Sequence, residues 1–222
     1  MDAHIFIDNS NAFGGAQRAA SQQEPGAVWL AVRIYYRNLF ALVERGHNPV
    51  TRVLAGSVPP GNDALWEGAR RCGYNTDLLR RVEKDDGRLV EQGVDEIAHL
   101  KIANVLLDYD PPQTLVLITG DGNDSDFGTS FTKQAERALR RGWNVEVWSW
   151  QSQLSGKFGR LAEAHGAQMK VRTFDPFYKQ VTFIQEGVYY VGGTSIRVAG
   201  RIVAKLGEAE PLAQADPLRQ AL

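Results

Sequence analysis

The chain has 222 residues, 43% of them hydrophobic and 23% charged, with a formal net charge of -1. That is the make-up of a globular protein of one α/β domain with an appendage, or of two small domains. A pI near 6.4 gives no whole-chain basic field for nucleic acid, although a local basic face stays open. The one cysteine, Cys72, excludes an internal disulfide framework and a cysteine-based metal knuckle, and it suits a reducing compartment. The opening MDAHIFID lacks the basic and long apolar regions of a signal peptide, and no apolar run approaches the ~20 residues that span a bilayer. The expectation is a cytoplasmic protein with no membrane partner.

AHIFID (3–8) is a short apolar run ending in an acid, the pattern of a buried central strand. In SQQEPGAVWLAVRIYYRNLFALVERG, the residues Trp29, Val32, Tyr36, Leu39, Phe40 and Val43 recur near helical spacing and Gly46 is a stop, so the segment predicts a helix. PVTRVLAGS (49–57) predicts a second strand, PPGNDALWEGARRCG a turn and a short helix, and YNTDLLRRV (74–82) a third strand. The charged EKDDGRLVEQG holds a short extended piece at Arg88–Val90. It leads into the helix VDEIAHLKIANVLLDYD, with Ile97, Leu100, Val105 and Leu106 broadly on one face, and DPPQ ends that helix. TLVLIT (114–119) has the nearly pure β character of a strand buried on both faces. After the polar loop GDGNDSDFGTS come the helix FTKQAERALRRG, the strand WNVEVWSW (143–150), the helix SGKFGRLAEAHG and the short strand AQMKVRTF.

Strands separated by helices predict a parallel sheet with right-handed crossovers. From about Asp175 the texture changes, and KQVTFIQEGVYYVGGTSIRVAGRIVAK reads as β-hairpins with glycine turns. The predicted organisation is an α/β domain over 1–173, a β-hairpin extension over 174–206 and a flexible tail over 207–222.

In an open parallel sheet, ligands bind beyond the carboxyl ends of the strands. IFID ends in Asp8, with Asn9 and Asn11 behind it; LVLITGD ends in Asp121, followed by Asn123, Asp124 and Asp126. The strand VEVWSW ends in Ser149 and Trp150, then Gln151 and Ser152, and the helix near Val94 carries Asp95 in its first turn with Glu91 just before. Each acid has an ordinary explanation by itself. Asp8 can cap the following turn, Asp95 suits a helix N-terminus, and GDGNDSD partly matches a calcium loop without the final glutamate where that loop needs it. Their co-occurrence points to a site. Several carboxylates side by side need a compensating cation, and an oxygen-only donor set favours Mg²⁺ or Mn²⁺ over zinc. Such ions polarise phosphodiesters and activate water, so the chemistry read from these residues is metal-dependent phosphodiester hydrolysis.

Four stretches in order, IFIDNSNAF, EQGVDEIAHLKIANVLLD, LVLITGDGN…F and ERALRRGWNVEVWSW, resemble the NYN domain, a branch of the PIN-like ribonuclease superfamily. The resemblance spans roughly residues 1–173 and leaves out the hairpin region. It implies a PIN-like Rossmannoid three-layer α/β fold with a mainly parallel central sheet, and cleavage of RNA with Mg²⁺ or Mn²⁺. The family's first-strand aspartate and the asparagine of its DxxN pattern fall on Asp8 and Asn11. The aspartate of its KGVD motif falls on Asp95, with Gln92 in place of the lysine, and the first acid of its GD-small-D-F loop falls on Asp121. The second acid of that loop is where this chain departs, because direct counting places Asn123 there. Asp126, followed by Phe127, is a displaced equivalent, and Asp124 is also available.

The expected metal ligands are therefore Asp8, Asp95 and Asp121, helped by Asp126 or Asn123, with Asn11 orienting a carboxylate or the attacking water. Lys133 and Arg137, one helical turn apart, are candidate RNA contacts set against the commoner solvated helix face. Arg140 and Arg141 suit the end of that helix. Trp148, Trp150, Tyr189 and Tyr190 are either base-stacking or packing residues, and Asn9 and Ser10 read as turn residues. The competing class is a non-enzymatic RNA-binding or scaffold domain on a weakened site, for which Asn123 is the support. An adhesion-type metal site fails at Ala12, and a haloacid-dehalogenase-type phosphatase fails at Ser10. Residues 176–222 are open to extending the sheet, building a homodimer or capping the substrate groove.

Overall fold

The computed structural model describes residues 1–58, 63–80, 82–83, 89–90, 94–122 and 129–207. In chain order, β1 (Asp2–Asp8) is followed by α1 (Asn9–Gln23), β2 (Val32–Ile34), α2 (Tyr36–Val43), β3 (Asn48–Val58), α3 (Asp63–Arg71) and β4 (Asn75–Arg80). The short strands β5 (Val82–Glu83) and β6 (Leu89–Val90) precede α4 (Val94–Asp108). Then come β7 (Thr114–Ile118), α5 (Phe131–Arg140), β8 (Asn144–Ser149), α6 (Gly156–His165) and β9 (Met169–Thr173). The described chain closes with α7 (Tyr178–Val181), β10 (Thr182–Ile184), β11 (Gly187–Val191) and β12 (Thr194–Val198).

Six strands form one sheet in the order β4-β3-β1-β7-β8-β9, with every neighbouring pair parallel. Numbered within the sheet this is 3-2-1-4-5-6, the doubly wound order whose direction reverses between β1 and β7. Strand alternation builds the two covering layers. Ala3, Ile5, Ile7, Val116, Ile118 and Trp148 join α1, α2 and α3 in one buried cluster. Phe6, Leu115, Leu117, Val145 and Val147 join α4, α5 and α6 in the other. β7 is buried at all five positions, as a central parallel strand must be.

The region after β1 differs from the sequence expectation. Helix α1 starts at Asn9, so Asn9 and Ser10 form its first turn rather than a loop. Its buried stripe is Ala12, Gly15, Ala16, Ala19 and Ala20, which lets it lie close on the sheet yet carries little hydrophobic signal. The helix expected through Trp29 to Val43 is only half present. Val32–Ile34 leave it as β2 to pair antiparallel with β10, and the helix proper is α2. On α4 the buried residues are Val94, Ala98, His99, Ile102 and Leu106, whereas Leu100 is 61% exposed.

The segment after β9 is not all hairpin. Phe174, Phe177, Tyr178, Val181 and Ile184 belong to the same buried cluster as β1 and α1. Arg201 fastens the strands that follow: it pairs with Glu24 at 2.9 Å, donates to the Thr182 carbonyl and hydroxyl, and bridges to Ile184. The hairpin itself is β11–β12. Residues 208–222, where the tail was expected, lie outside the described residues.

Candidate active site at the carboxyl edge of the sheet

Asp8 is the last residue of β1 and the N-cap of α1, and it is 2% exposed. By strand alternation it follows Phe6 toward the face that α4 covers. Its Oδ1 accepts from the Ser10 hydroxyl at 2.7 Å and the Asn11 backbone N–H at 3.1 Å, and its Oδ2 accepts from the Asn11 side-chain amide. Capping and site-building are thus the same geometry, since the hydrogen bond that starts α1 also fixes the carboxylate's direction. Asn11 binds the neighbouring strand end as well, its Oδ1 accepting from the Gly120 N–H at 3.3 Å. Gly120 leads directly into Asp121, whose own N–H donates to Thr119 Oγ1 at 3.2 Å.

The connection after β8 forms the opposite wall. Gln153 Nε2 donates to the Asn11 carbonyl at 2.6 Å, and Ser155 N–H donates to the Gly120 carbonyl at 3.1 Å. This approach requires glycines from two other segments. A Cβ on Gly15 would overlap Trp150 and Gln153, and one on Gly120 would stand 2.7 Å from the Gln153 carbonyl oxygen. What remains is a polar crevice of about 260 Å³, lined by Asn11, Arg18, Gly120, Asp121, Gly122, Gln153 and Ser155. It opens where the strand order reverses, the place at which doubly wound sheets bind ligands.

Asp95 occupies the first turn of α4 and is half-buried. Its neighbour one turn on, His99, was not singled out from the sequence. His99 is 4% exposed, edge-on to Phe131, and neither ring nitrogen has a hydrogen-bond partner among the described residues. Burial pushes its imidazole below the usual range, the Glu96 and Asp121 carboxylates push the other way, and Arg137 adds to the lowering. The influence of Asp121 marks α4 as a neighbour of that strand end. The Ser149 hydroxyl, which faces Gly120, is likewise buried without a partner among the described residues.

Of the expected ligands, Asn11 and Asp121 line the crevice, and Asp8 is tied to it through Asn11. Asn123, Asp124 and Asp126 lie outside the described residues, as do Glu91 and Gln92. Among the described residues no three His, Cys, Asp or Glu side chains form a group able to hold a metal ion. The donor chemistry still fits a hard divalent ion. The groups at hand are carboxylate and amide oxygens, and Mg²⁺ usually keeps several waters and takes one or two carboxylates plus substrate phosphate rather than a closed protein cage.

Lys133 and Arg137 lie on α5 and do not line the crevice; Arg137 borders a groove with Leu106, Leu107, Arg140 and Arg141. Trp148 and Trp150 are fully buried, with Trp150 Nε1 donating to the Ala12 carbonyl at 2.9 Å, so both are packing residues. Tyr189 is partly buried against the core, while Tyr190 is 75% exposed.

No protein-family model matches the chain, and no curated protein matches it. Among solved structures, a protein of unknown function from Vibrio parahaemolyticus has the same fold. The two chains are 14% identical with a TM-score of 0.52, over 78% of this chain and 91% of that one. The likeness is one of fold. Among the described residues no helix is long and apolar enough to cross a membrane.

Proposed function

We propose that the chain is a divalent-metal-dependent ribonuclease that hydrolyses RNA phosphodiester bonds at the crevice between β1 and β7. The observation that carries this reading is the Asp8–Asn11–Gly120–Asp121 chain of contacts at the switch point of the sheet. The ordered resemblance to the NYN domain supports the same chemistry, and the cytoplasm is the compartment that goes with it. Asp8 and Asp121 would hold Mg²⁺ or Mn²⁺, with Asp95 and either Asp126 or Asn123 completing the set. When bound, such an ion supplies charge for the phosphate oxygens and lowers the pKa of a coordinated water. Asn11 keeps the Asp8 carboxylate in one orientation, and the Gln153–Ser155 wall limits where a phosphate can sit.

RNA cleavage with added Mn²⁺ tests this, comparing the native chain with Asp8→Asn and Asp121→Asn. Each variant is expected to lose activity by on the order of 10²-fold or more. Equal activity in all three rejects the assignment.

One observation favours a second reading, an RNA-binding or scaffold protein with a weak or inactive site: Asn123 stands where the family's loop carries its second acid. Titration calorimetry separates the two. A working site takes up Mn²⁺ with a signal that Asp121→Asn abolishes, and an inactive one binds RNA without metal uptake.

A further inference from the structure

Two arginines reach back over glycines beside the crevice. Long side chains on a helix lean toward its N-terminus, and both α1 and α6 begin at the carboxyl edge of the sheet. Arg18 stands seven residues after Asn11, on the same face of α1. Its guanidinium lies over Gly14, where an added Cβ would be 3.6 Å from both terminal nitrogens. Nη2 donates to Gln153 Oε1, and Gln153 in turn holds the Asn11 carbonyl, so the guanidinium is anchored to the crevice wall. That single bond leaves most of its donors for a ligand. On α6, Arg160 reaches back over the first residue, with Nη1 3.6 Å from the Cβ that Gly156 lacks. One turn nearer the crevice, Lys157 Nζ donates to the Gly122 carbonyl at 2.6 Å.

An acidic crevice repels a phosphodiester unless cations next to it offset the charge. Guanidinium groups suit that task, because their planar fork matches phosphate oxygens. The cavity of about 260 Å³ falls below the ~300–1,000 Å³ of pockets that enclose drug-sized ligands. Its size and polar lining suit a single phosphodiester unit.

We propose that Arg18 and Arg160 are substrate-binding residues that grip successive phosphates of an RNA strand as it crosses the crevice. This deepens, and rests on, the ribonuclease reading. The cations expected from the sequence on α5 take no part in the grip.

The test is fluorescence anisotropy of a short labelled single-stranded RNA across a salt series. EDTA is present so that no cleavage intervenes. The double variant Arg18→Ala/Arg160→Ala is expected to bind about tenfold or more weakly. Its slope of log K against log salt should be shallower by about 1.4, from roughly 0.7 per lost phosphate contact on a single strand. Arg18→Lys/Arg160→Lys should keep the slope and recover part of the affinity, and Arg140→Ala on α5 should change neither. All three positions changed are helix residues, so circular dichroism should report a native fold throughout. Native affinity and slope in the double alanine variant overturn the proposal. Native Mn²⁺-dependent cleavage in that variant overturns the grip alone. An RNA grip that needs both arginines, in a chain that cleaves nothing with Mn²⁺, removes the ribonuclease reading and leaves the grip. A native chain that binds no RNA in EDTA overturns the grip, and one that also cleaves none with Mn²⁺ removes both.

Discussion

Among the described residues of the sheet, two buried carboxylates, Glu146 and Asp8, are supported differently. Glu146, on β8 toward the amino ends of the strands, is 6% exposed and meets positive charge directly. Arg172 Nε lies 3.2 Å from Oε2, His47 Nε2 lies 3.8 Å from Oε1, and Trp148 Nε1 donates to Oε1 at 2.7 Å. Asp8, at the carboxyl end of β1, accepts from neutral donors: a hydroxyl, a backbone N–H and an amide. Glu146 closes a charge network within the fold. The bonds described for Asp8 set the direction of its carboxylate at the rim of a crevice. Glu146 is thus a structural acid and Asp8 a proposed metal ligand, and residue type alone does not tell them apart.

The largest expected effect is on the structural acid. Glu146→Ala removes the buried carboxylate 3.2 Å from Arg172 and should cost about 3 kcal/mol by urea unfolding, since breaking a buried pair from one side typically costs 3–5. RNA cleavage per folded molecule should not change. A loss of cleavage in a stably folded variant would erase the distinction between the two acids.

Gly120→Ala comes next. A Cβ there meets the Gln153 backbone oxygen at 2.7 Å and the Ser149 hydroxyl at 2.9 Å, and the backbone cannot yield cheaply. Overpacking of this kind costs about 1–3 kcal/mol, and the displaced wall should lower both RNA affinity and cleavage.

Asp8→Asn sharpens the comparison from the other side. Asparagine caps a helix about as well as aspartate, so stability should change by less than about 1 kcal/mol while cleavage is lost. A larger loss of stability would make Asp8 a structural acid like Glu146.

The pH dependence separates the two acids again, more gently. Burial alone would raise the Glu146 carboxyl, but the neighbouring His47 ring, the charge of Arg172 and the hydrogen bond from Trp148 outweigh it and hold the group below its usual 4.5. A depressed folded-state value means that this stabilisation is fully present above pH 4.5 and is lost as pH falls through the folded-state value. Glu146→Gln should therefore flatten the acid limb of a stability–pH curve, and an unchanged limb would argue against the network. The smallest effect belongs to Tyr190, 75% exposed on β11, where Tyr190→Ala should shift stability by less than about 0.5 kcal/mol.

The central strands were legible because β1 and β7 are short apolar runs, the mark of burial on two faces, while β3, β8 and β9 read as strands set between helices. Asp8, Asp95 and Asp121 were legible for the same reason, since each sits at the end of an element that the pattern locates. Helix α1 was not, because it packs through alanine and glycine, which hydrophobic periodicity barely registers. The strand β2 looked helical because its partner, β10, lies about 150 residues later in the chain. Leu100 looked like a core residue because spacing identifies a face without saying what covers it.

By itself, then, the sequence determined the alternation of strands and helices and which acids end the strands. Both follow from local periodicity, and burial on two faces leaves few other sequences for a central strand. Only the tertiary structure decided that Gln153 walls the crevice beside Asn11 and that Arg18 is anchored to that wall. Those outcomes depend on which segments approach closely, at Gly15 and Gly120, and close approach between distant segments has no local signature.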